Sequence, residues 1–143
     1  MDIIELHTLT DAQGEDLLGL MGELDPEVTV TAEGMKKAVE AEGTHFFAAV
    51  DGDGHIAGCA TLCVFESPTG RKASVEDVVV GSAYRGLGLG RALMEHIIDF
   101  ARTELPGTDI HLTSRPQRTA ANALYRSLGF ERRETNVYRL KVR

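Results

Sequence analysis

Short apolar segments separated by turn residues predict most of the strands of this chain. The predicted strands are DIIEL (2–6), THFFAAV (44–50), HIAGCATLCVFE (55–66), ASVEDVVV (73–80), DIHLTS (109–114), FERRE (130–134) and NVYRLKV (136–142). DGDG (51–54) is typical of the turn of a β-hairpin, and SPTGRK (67–72) predicts a second turn. Three of these strands should therefore form a meander in the middle of the chain.

Helical periodicity separates the predicted strands. Two helices are expected over 10–24 and 31–43, with Asp25-Pro26 as the break between them. A long helix from about Leu89 to Thr103 places one apolar face at spacings of four, formed by Leu89, Leu93, Ile97 and Ala101. A short helix over 119–128 ends at Gly129, with a core stripe expected from Ala120, Leu124 and Leu128.

The resulting order is β-α-α-β-β-β-α-β-α-β-β. It predicts the α/β (α+β) class, with a mostly antiparallel central sheet, flanking helices and one crossover. Residues 1–143 contain no repeat, low-complexity tract or linker, so we expect a single domain.

Composition fits a soluble globular protein, with 43% hydrophobic and 26% charged residues. No apolar run approaches the roughly 18 residues of a membrane span. The N-terminal residues 1–16 are acidic and lack the basic and long apolar parts of a secretory signal, so we expect a cytoplasmic protein that does not bind membranes. The five histidines show no metal-ligand spacing, and no metal is expected. Cys59 and Cys63 are expected to be buried thiols on one strand face.

Charge is distributed unevenly about the net value of −7. Residues 1–70 carry −12 and residues 71–143 carry +5. This asymmetry would guide an anionic ligand to the C-terminal half and a cationic ligand to the N-terminal half, unless it is only an uneven solvated surface. The negative total and the absence of interleaved basic and aromatic residues argue against a nucleic-acid partner.

Three glycines, Gly86, Gly88 and Gly90, lie where a β-branched run meets a helix. The chain has no Gly-Lys pair, which excludes a P-loop. Arg91 and Leu93 occupy the positions where a dinucleotide fingerprint needs its last small residue. What remains is Arg-x-x-Gly-x-Gly at a helix N-terminus, where bare backbone amides can bind an anion, although a turn without a ligand is the alternative.

Two segments carry a family resemblance, VEDVVVGSAYRGLGLGRALMEHIIDFA (75–101) and ANALYRSLGF (121–130). Together they resemble the GNAT superfamily of acetyl-CoA-dependent N-acetyltransferases. Arg85, Gly88 and Gly90 match its Arg/Gln-x-x-Gly-x-Gly/Ala pattern. Its Asn-x-x-Tyr pattern ahead of Gly-Phe is matched by Asn122, Tyr125, Gly129 and Phe130. The resemblance implies the GNAT fold.

The same resemblance implies acetyl-CoA as co-substrate and assigns residues to it. The pyrophosphate would lie on the amides of Arg85, Gly86, Leu87, Gly88, Leu89, Gly90 and Arg91. The pantetheine arm would pair as an added strand with the backbone of Val78, Val79 and Val80, of which one amide would also hold the oxyanion, although a purely core role fits these valines equally. Asn122 would hydrogen-bond the cofactor, or else be a solvent-facing amide.

Family members similar here use a tyrosine as general acid, which makes Tyr125 the candidate proton donor to the leaving sulfur. Its alternative role is packing alone. Glu76 and Asp77 precede the valines as in glucosamine-6-phosphate N-acetyltransferases, where such a pair lies at the acceptor site. Strand alternation should point the two to opposite faces. We favour Glu76 as the base, with Asp77 or water as alternatives, unless these are acidic strand residues that only pair with a surface cation. Arg115 and Arg118 would bind an anionic group of the acceptor, bind a cofactor phosphate, or be solvated.

The function expected from these residues is N-acetylation of a primary amine on a small, amino-sugar-like molecule, by direct attack in a ternary complex. The alternatives are a protein lysine or N-terminal acetyltransferase and a non-catalytic acyl-CoA-binding module. Coenzyme A and the amine acceptor are the expected partners, and a homodimer is left open.

Overall fold

The computed structural model describes residues 1–143, in two compact units, Met1–Leu112 and Thr113–Arg143. The first unit contains five strands, three helices and one 3-10 turn. In chain order these are β1 (Asp2–Leu6), α1 (Asp11–Leu24), α2 (Ala32–Glu40), β2 (Thr44–Val50), β3 (Ile56–Ser67), β4 (Gly70–Val80), the 3-10 turn (Ser82–Tyr84), α3 (Leu89–Glu104) and β5 (Ile110–His111). The second unit contains α4 (Thr119–Ser127).

The strands form one sheet in the order β1-β2-β3-β4-β5. The first four are antiparallel to their neighbours, and α3 makes the crossover to β5, which is parallel to β4. The α/β class, the mostly antiparallel sheet and its single crossover are therefore confirmed.

Two threonines determine where α1 and α2 begin. The Thr10 side chain accepts from the Gln13 amide while the Gln13 side chain accepts from the Thr10 amide, which satisfies two N-terminal donors reciprocally. The Thr31 side chain accepts from the Gly34 amide in the same way, without the return bond. Both helices begin directly after the threonine that opens the predicted segment.

Apolar side chains are buried on the two faces of the sheet. On one face the cluster joins α1 and α2 to β2, β3 and β4, through Leu17, Leu20, Met21, Met35, Val39, Phe46, Ala48, Cys59 and Val79. Helix α3 buries Leu89, Leu93, Met94, Ile97 and Ala101. Its His96 and Phe100 rings lie 5.2 and 5.4 Å from the Phe47 ring. The predicted apolar face of α3 is thus confirmed.

In the second unit, α4 packs differently from the prediction. Tyr125 is its buried residue, whereas Ala120 is exposed and Leu124 and Leu128 are half-buried. The Tyr125 and Phe130 rings lie 6.1 Å apart in an edge-on arrangement, and the Phe130 amide donates to the Tyr125 carbonyl. The expected aliphatic stripe was wrong because the aromatic ring, with its larger apolar area, takes the buried position.

The strands expected over 130–134 and 136–142 are absent. Residues 131–143 are exposed, and the chain after α4 forms no β-ladder. β5 spans only two of the six residues expected between Asp109 and Ser114. A suitable pattern of side chains does not make a strand until a neighbouring strand pairs with its backbone. No helix of the structure combines the length and apolar character needed to cross a membrane.

Candidate functional site

A β-bulge interrupts β4 in the middle of the sheet. Glu76 pairs with Thr61 and Val79 pairs with Cys59, so Asp77 and Val78 together stand opposite a single residue of β3. Asp77 has φ 52°, a left-handed conformation that non-glycine residues seldom adopt. The regular alternation expected for Glu76 and Asp77 therefore does not hold here, because a bulge re-aims the side chains that follow it.

The two carboxylates lie close enough to affect each other electrostatically. Partial desolvation of its carboxyl, and after that the negative charge of Glu76, raises the pKa of Asp77 above its ordinary value. The Glu76 carboxylate accepts a hydrogen bond from Ser74 Oγ at 2.8 Å. Both acidic residues are exposed. The structure thus places an accessible acidic pair at the bulge.

Two thiols of β3 lie beside this pair. Burial raises the pKa of Cys59 to about 12, with the charge of Asp77 adding to the effect. Burial also raises the pKa of Cys63, and both Glu76 and Asp77 contribute. Cys59, opposite Val79, is buried as expected, whereas Cys63, opposite Ser74 on the other side of the acidic pair, is half-buried. Both thiols are held in the protonated form at neutral pH.

One edge of β4 lacks a strand partner beyond the bulge. β5 pairs with β4 only at Ala73 and Ser74. Further along, Val79 and Val80 pair on their other side with Cys59 and Gly58 of β3. The backbone from Val78 to Val80 therefore presents extended chain at an edge to which another extended group can add.

A glycine-rich loop connects this edge to α3. Gly86 and Gly88 have φ 82° and 76°, and a Cβ added at either position would meet no atom within 4 Å. Their positive φ requires glycine, and nothing in the protein packs against the loop at these two positions. Leu87 between them is 66% exposed. The loop is therefore open to a ligand.

The loop ends at the N-terminus of α3. Gly88 is the residue before the helix, and no side chain caps the helix there. Leu89 is buried, Gly90 lies in the first turn, and the Arg91 guanidinium pairs with Glu95 at 3.3 Å. The first turn of a helix presents amides that have no acceptor within the helix, together with a partial positive charge. This terminus therefore suits an anion.

Glu23, at the end of α1, holds the beginning of the same loop and was not predicted. Its carboxylate accepts from the Ser82 amide at 2.9 Å. Hydrogen bonds from Ser82 lower the pKa of Glu23, and the charge of Arg85 lowers it further. Glu23 and Ser82 are 59 positions apart, so no local pattern in the sequence could have indicated this contact.

In the second unit, the two predicted residues of α4, Asn122 and Tyr125, lie three positions apart within the helix. Asn122 Nδ2 donates to the carbonyl of Arg115 at 3.0 Å, which ties the helix to the turn before it. Burial raises the pKa of Tyr125, and the positive charge of Arg118 offsets part of that rise. Arg115 and Arg118 are exposed.

The first unit thus brings together the acidic pair, the open edge of β4 and the glycine loop. The second unit brings together Asn122, Tyr125 and Arg118. No group of three or more His, Cys, Asp and Glu side chains is placed to hold a metal ion.

Comparison with known proteins supplies the family. The Acetyltransferase (GNAT) family matches residues 8–130. Streptothricin acetyltransferase of Streptomyces lavendulae is 40% identical over 86 residues, which cover 59% of this chain and 43% of that protein. N-alpha-acetyltransferase RimI of Mycobacterium tuberculosis is 45% identical over 58 residues, covering 41% of this chain and 34% of that protein. The chain thus matches less than half the length of either relative.

Among solved structures, an acetyltransferase of Trypanosoma brucei superposes with a TM-score of 0.76 at 24% identity. The match covers 99% of this chain and 100% of that one. At this identity the likeness establishes the fold. The family match over most of the sequence shows that the chain belongs to the acetyltransferase (GNAT) family.

Proposed function

We propose that this protein transfers the acetyl group of acetyl-CoA to a primary amine of a small molecule. One observation carries the proposal: the unpaired edge of β4 leads into an open loop of left-handed glycines at the N-terminus of α3. An extended edge followed by an anion-binding turn matches a ligand that has an amide-containing arm and a pyrophosphate.

The residues of the first unit fit acetyl-CoA. The backbone amides of Arg85 to Arg91 would hold the pyrophosphate, because Gly86 and Gly88 leave the approach to the loop clear. Arg85 adds a full positive charge. Val78, Val79 and Val80 would hydrogen-bond the pantetheine arm through their backbone. Any other residue in place of Gly86 or Gly88 would strain the loop and obstruct that approach.

The acidic pair would deprotonate the acceptor amine. A free alkylamine has a pKa of about 10 and is protonated at neutral pH, so it must lose a proton before it attacks. Glu76 or Asp77, directly or through water, takes that proton. The raised pKa of Asp77 favours proton uptake by this carboxylate over that by an ordinary aspartate. Bound acetyl-CoA supplies the acetyl group as a thioester, whose carbonyl carbon bonds to the amine nitrogen while its C–S bond breaks.

Direct transfer is favoured over an acyl-enzyme. Cys63 is the thiol beside the acidic pair, and its raised pKa keeps the sulfur protonated. A protonated thiol is a poor nucleophile. The amine rather than Cys63 is therefore the group that attacks.

Tyr125 is the proposed donor of a proton to the departing sulfur. Its raised pKa keeps the phenol protonated at neutral pH, as a general acid requires. Tyr125→Phe retains the ring and removes the proton donor. We expect acetyl-CoA affinity to change by only a few-fold, since a neutral hydrogen bond contributes about 0.5–1.5 kcal/mol. Turnover should fall by about 10²–10⁴-fold. Calorimetry and steady-state kinetics measure the two effects separately, and near-normal turnover would leave Tyr125 as a packing residue.

Acidic residues favour a cationic acceptor. Residues 1–70 carry −12, and Glu76 and Asp77 are exposed at the bulge. One relative is named for streptothricin and another is named an N-alpha-acetyltransferase, so a small molecule and a polypeptide are both represented among the relatives. We favour the small amine, with amino sugars among the first compounds to test.

The decisive experiment is a panel of acceptors with a readout of free thiol, confirmed by the mass of the acetylated product. We expect turnover with a subset of small primary amines and its loss in Glu76→Gln combined with Asp77→Asn. Turnover confined to peptides would replace the small-molecule assignment by a protein acetyltransferase. Binding of acetyl-CoA without transfer to any acceptor would indicate a non-catalytic acyl-CoA-binding module.

A further inference from the structure

Glu76 is held by a serine that lies two residues before it on β4. Ser74 Oγ donates to Glu76 Oε1 at 2.8 Å. Residues two apart on a strand share a face, so this bond fixes the direction in which the Glu76 side chain extends from that face. Oε1 accepts the bond, which leaves Oε2 for a group from outside the chain. Ser74 therefore orients the carboxylate without occupying all of it.

Ser74 is itself anchored on both sides. Its backbone pairs with Cys63 of β3 and with His111 of β5, and the residue is half-buried. Glu76, two residues further along, has a strand neighbour on one side, at Thr61 of β3, and is exposed. A side chain that is held from a rigid element keeps its geometry better than one that is free. The long Glu76 side chain is thus oriented from a part of β4 that has neighbours on both sides.

The Asp77 carboxylate differs from that of Glu76 in these respects. Its residue lies at the bulge with φ 52°, where Cys59 Sγ donates to its backbone carbonyl at 3.8 Å. The carboxylate itself accepts no hydrogen bond, and partial desolvation followed by the charge of Glu76 raises its pKa. A general base works best when its pKa lies near the operating pH. Asp77 therefore has both the free oxygens and the raised pKa that suit proton uptake.

We infer that Ser74 assigns the two carboxylates to different tasks, holding Glu76 as the fixed counterion of the substrate ammonium while Asp77 takes the proton. The inference rests on the proposed function and deepens it. Asp77 gains the first proton of the ammonium nitrogen, which then bonds to the thioester carbonyl carbon as the C–S bond breaks. The nitrogen loses a second proton as the amide forms and the sulfur gains one, so one proton is released overall. Ser74 is a positioning residue, because it acts through Glu76.

The first test separates the acceptor KM from kcat. Glu76→Gln keeps an acceptor oxygen for Ser74 and removes the charge, so the acceptor KM should rise by about tenfold, with a smaller change in kcat. Asp77→Asn introduces a residue that tolerates the left-handed bulge. It should lower kcat by about 10²-fold or more and change the acceptor KM by only a few-fold. The opposite distribution of the two effects would overturn the inference.

The second test is a double-mutant cycle at Ser74. Ser74→Ala should raise the acceptor KM several-fold in the otherwise wild-type protein and have no further effect in Glu76→Gln, since the serine acts through that charge. Ser74→Thr keeps a hydroxyl and should recover most of the loss. Thr61→Val is the matched control, because it removes a hydroxyl from the residue opposite Glu76 and should leave KM unchanged. An unchanged KM in Ser74→Ala would disprove the role of Ser74.

A measurement without turnover distinguishes this inference from the proposed function. In ¹³C-labelled protein, NMR couplings about the Glu76 side-chain bonds should report one rotamer in the wild type and an average over several in Ser74→Ala. Turnover of a small amine, combined with averaged couplings in the wild type, overturns this inference alone. Absence of turnover with every small amine overturns the proposed function, and the assigned tasks with it.

Discussion

Two turns of this protein contain glycine with a left-handed backbone, but they differ in which groups accept hydrogen bonds from their backbone amides. In the β2–β3 hairpin, Asp51 Oδ1 accepts from the amides of Asp53 and His55. Asp16 reaches the same turn from α1 and accepts from the Ile56 amide at 3.0 Å. In the glycine loop, the one carboxylate that holds an amide is Glu23, at Ser82, before the glycines begin.

The two turns differ in whether the protein itself supplies acceptors for the turn amides. In the hairpin the protein itself supplies the acceptors, Asp51 within the turn and Asp16 from α1. The glycine loop is followed by a helix N-terminus that no side chain caps, and in the proposed function a phosphate of acetyl-CoA would supply the acceptor there. Composition alone does not distinguish them, because both turns are rich in glycine.

The largest expected effect comes from placing a glutamate in each turn. Gly88 and Gly54 both have positive φ, and an added Cβ meets nothing within 4 Å at either position. Each substitution should destabilise the fold by about 1–2 kcal/mol through the strained backbone. Gly88→Glu should also reduce acetyl-CoA affinity by at least about 100-fold, because its carboxylate faces the phosphates. Gly54→Glu serves as the control that leaves affinity unchanged.

Calorimetric titration with acetyl-CoA measures the affinity of both variants, and thermal unfolding measures their stability. Equal affinities in the two folded variants would contradict a phosphate site in the loop.

A smaller effect is expected at Glu23, which joins the loop to α1. Glu23→Ala removes the acceptor of the Ser82 amide and the negative charge near Arg85, so KM for acetyl-CoA should rise several-fold. Glu23→Gln keeps an acceptor oxygen, so its KM for acetyl-CoA should lie between those of the alanine variant and the wild type. Turnover at saturating acetyl-CoA should hardly change in either variant. A fall in kcat without a change in KM would disprove this positioning role.

In the hairpin, Asp51→Ala should lower the melting temperature by a few degrees and leave acetyl-CoA affinity as it is. The substitution deprives two amides of their acceptor. Hydrogen bonds from the turn amides lower the pKa of Asp51, so the wild-type carboxylate is ionised at neutral pH. Asp51→Asn, which keeps an acceptor oxygen, should recover part of the loss. A lower affinity for acetyl-CoA in either variant would contradict the prediction that the hairpin affects stability alone.

The smallest effect concerns the pH dependence of the hairpin. The hydrogen bond and the charge of Asp16 raise the pKa of His55 above its ordinary value of about 6.5, with further contributions from Asp51 and Asp53. Because the folded-state pKa is the higher one, the stabilisation is complete below about pH 6.5 and is lost as pH rises through the folded-state value. The melting temperature of the wild type should therefore exceed that of His55→Asn in mildly acidic buffer, and the gap should close above neutrality. A gap that stays constant with pH would show that the ion pair contributes nothing.

The sequence by itself determined most of the local structure. Thr10 and Thr31 mark the starts of α1 and α2 because their hydroxyls satisfy amides three residues away. The four-residue spacing of Leu89, Leu93, Ile97 and Ala101 was enough to define the buried face of α3. The Arg-x-x-Gly-x-Gly pattern located the loop at the start of that helix. Each of these features depends on residues that are neighbours along the chain.

Tertiary structure decided the features that depend on distant partners. The bulge at Asp77 arises from the register between β3 and β4. Because of it, the side chains of EDVVV (76–80) do not alternate regularly between the two faces of the sheet, as the sequence pattern predicted. Glu23 reaches Ser82 across 59 positions. Residues 136–142 have the alternating pattern of a strand and form none, because a strand exists only through hydrogen bonds to a neighbouring strand, and the pattern of one strand does not specify that neighbour.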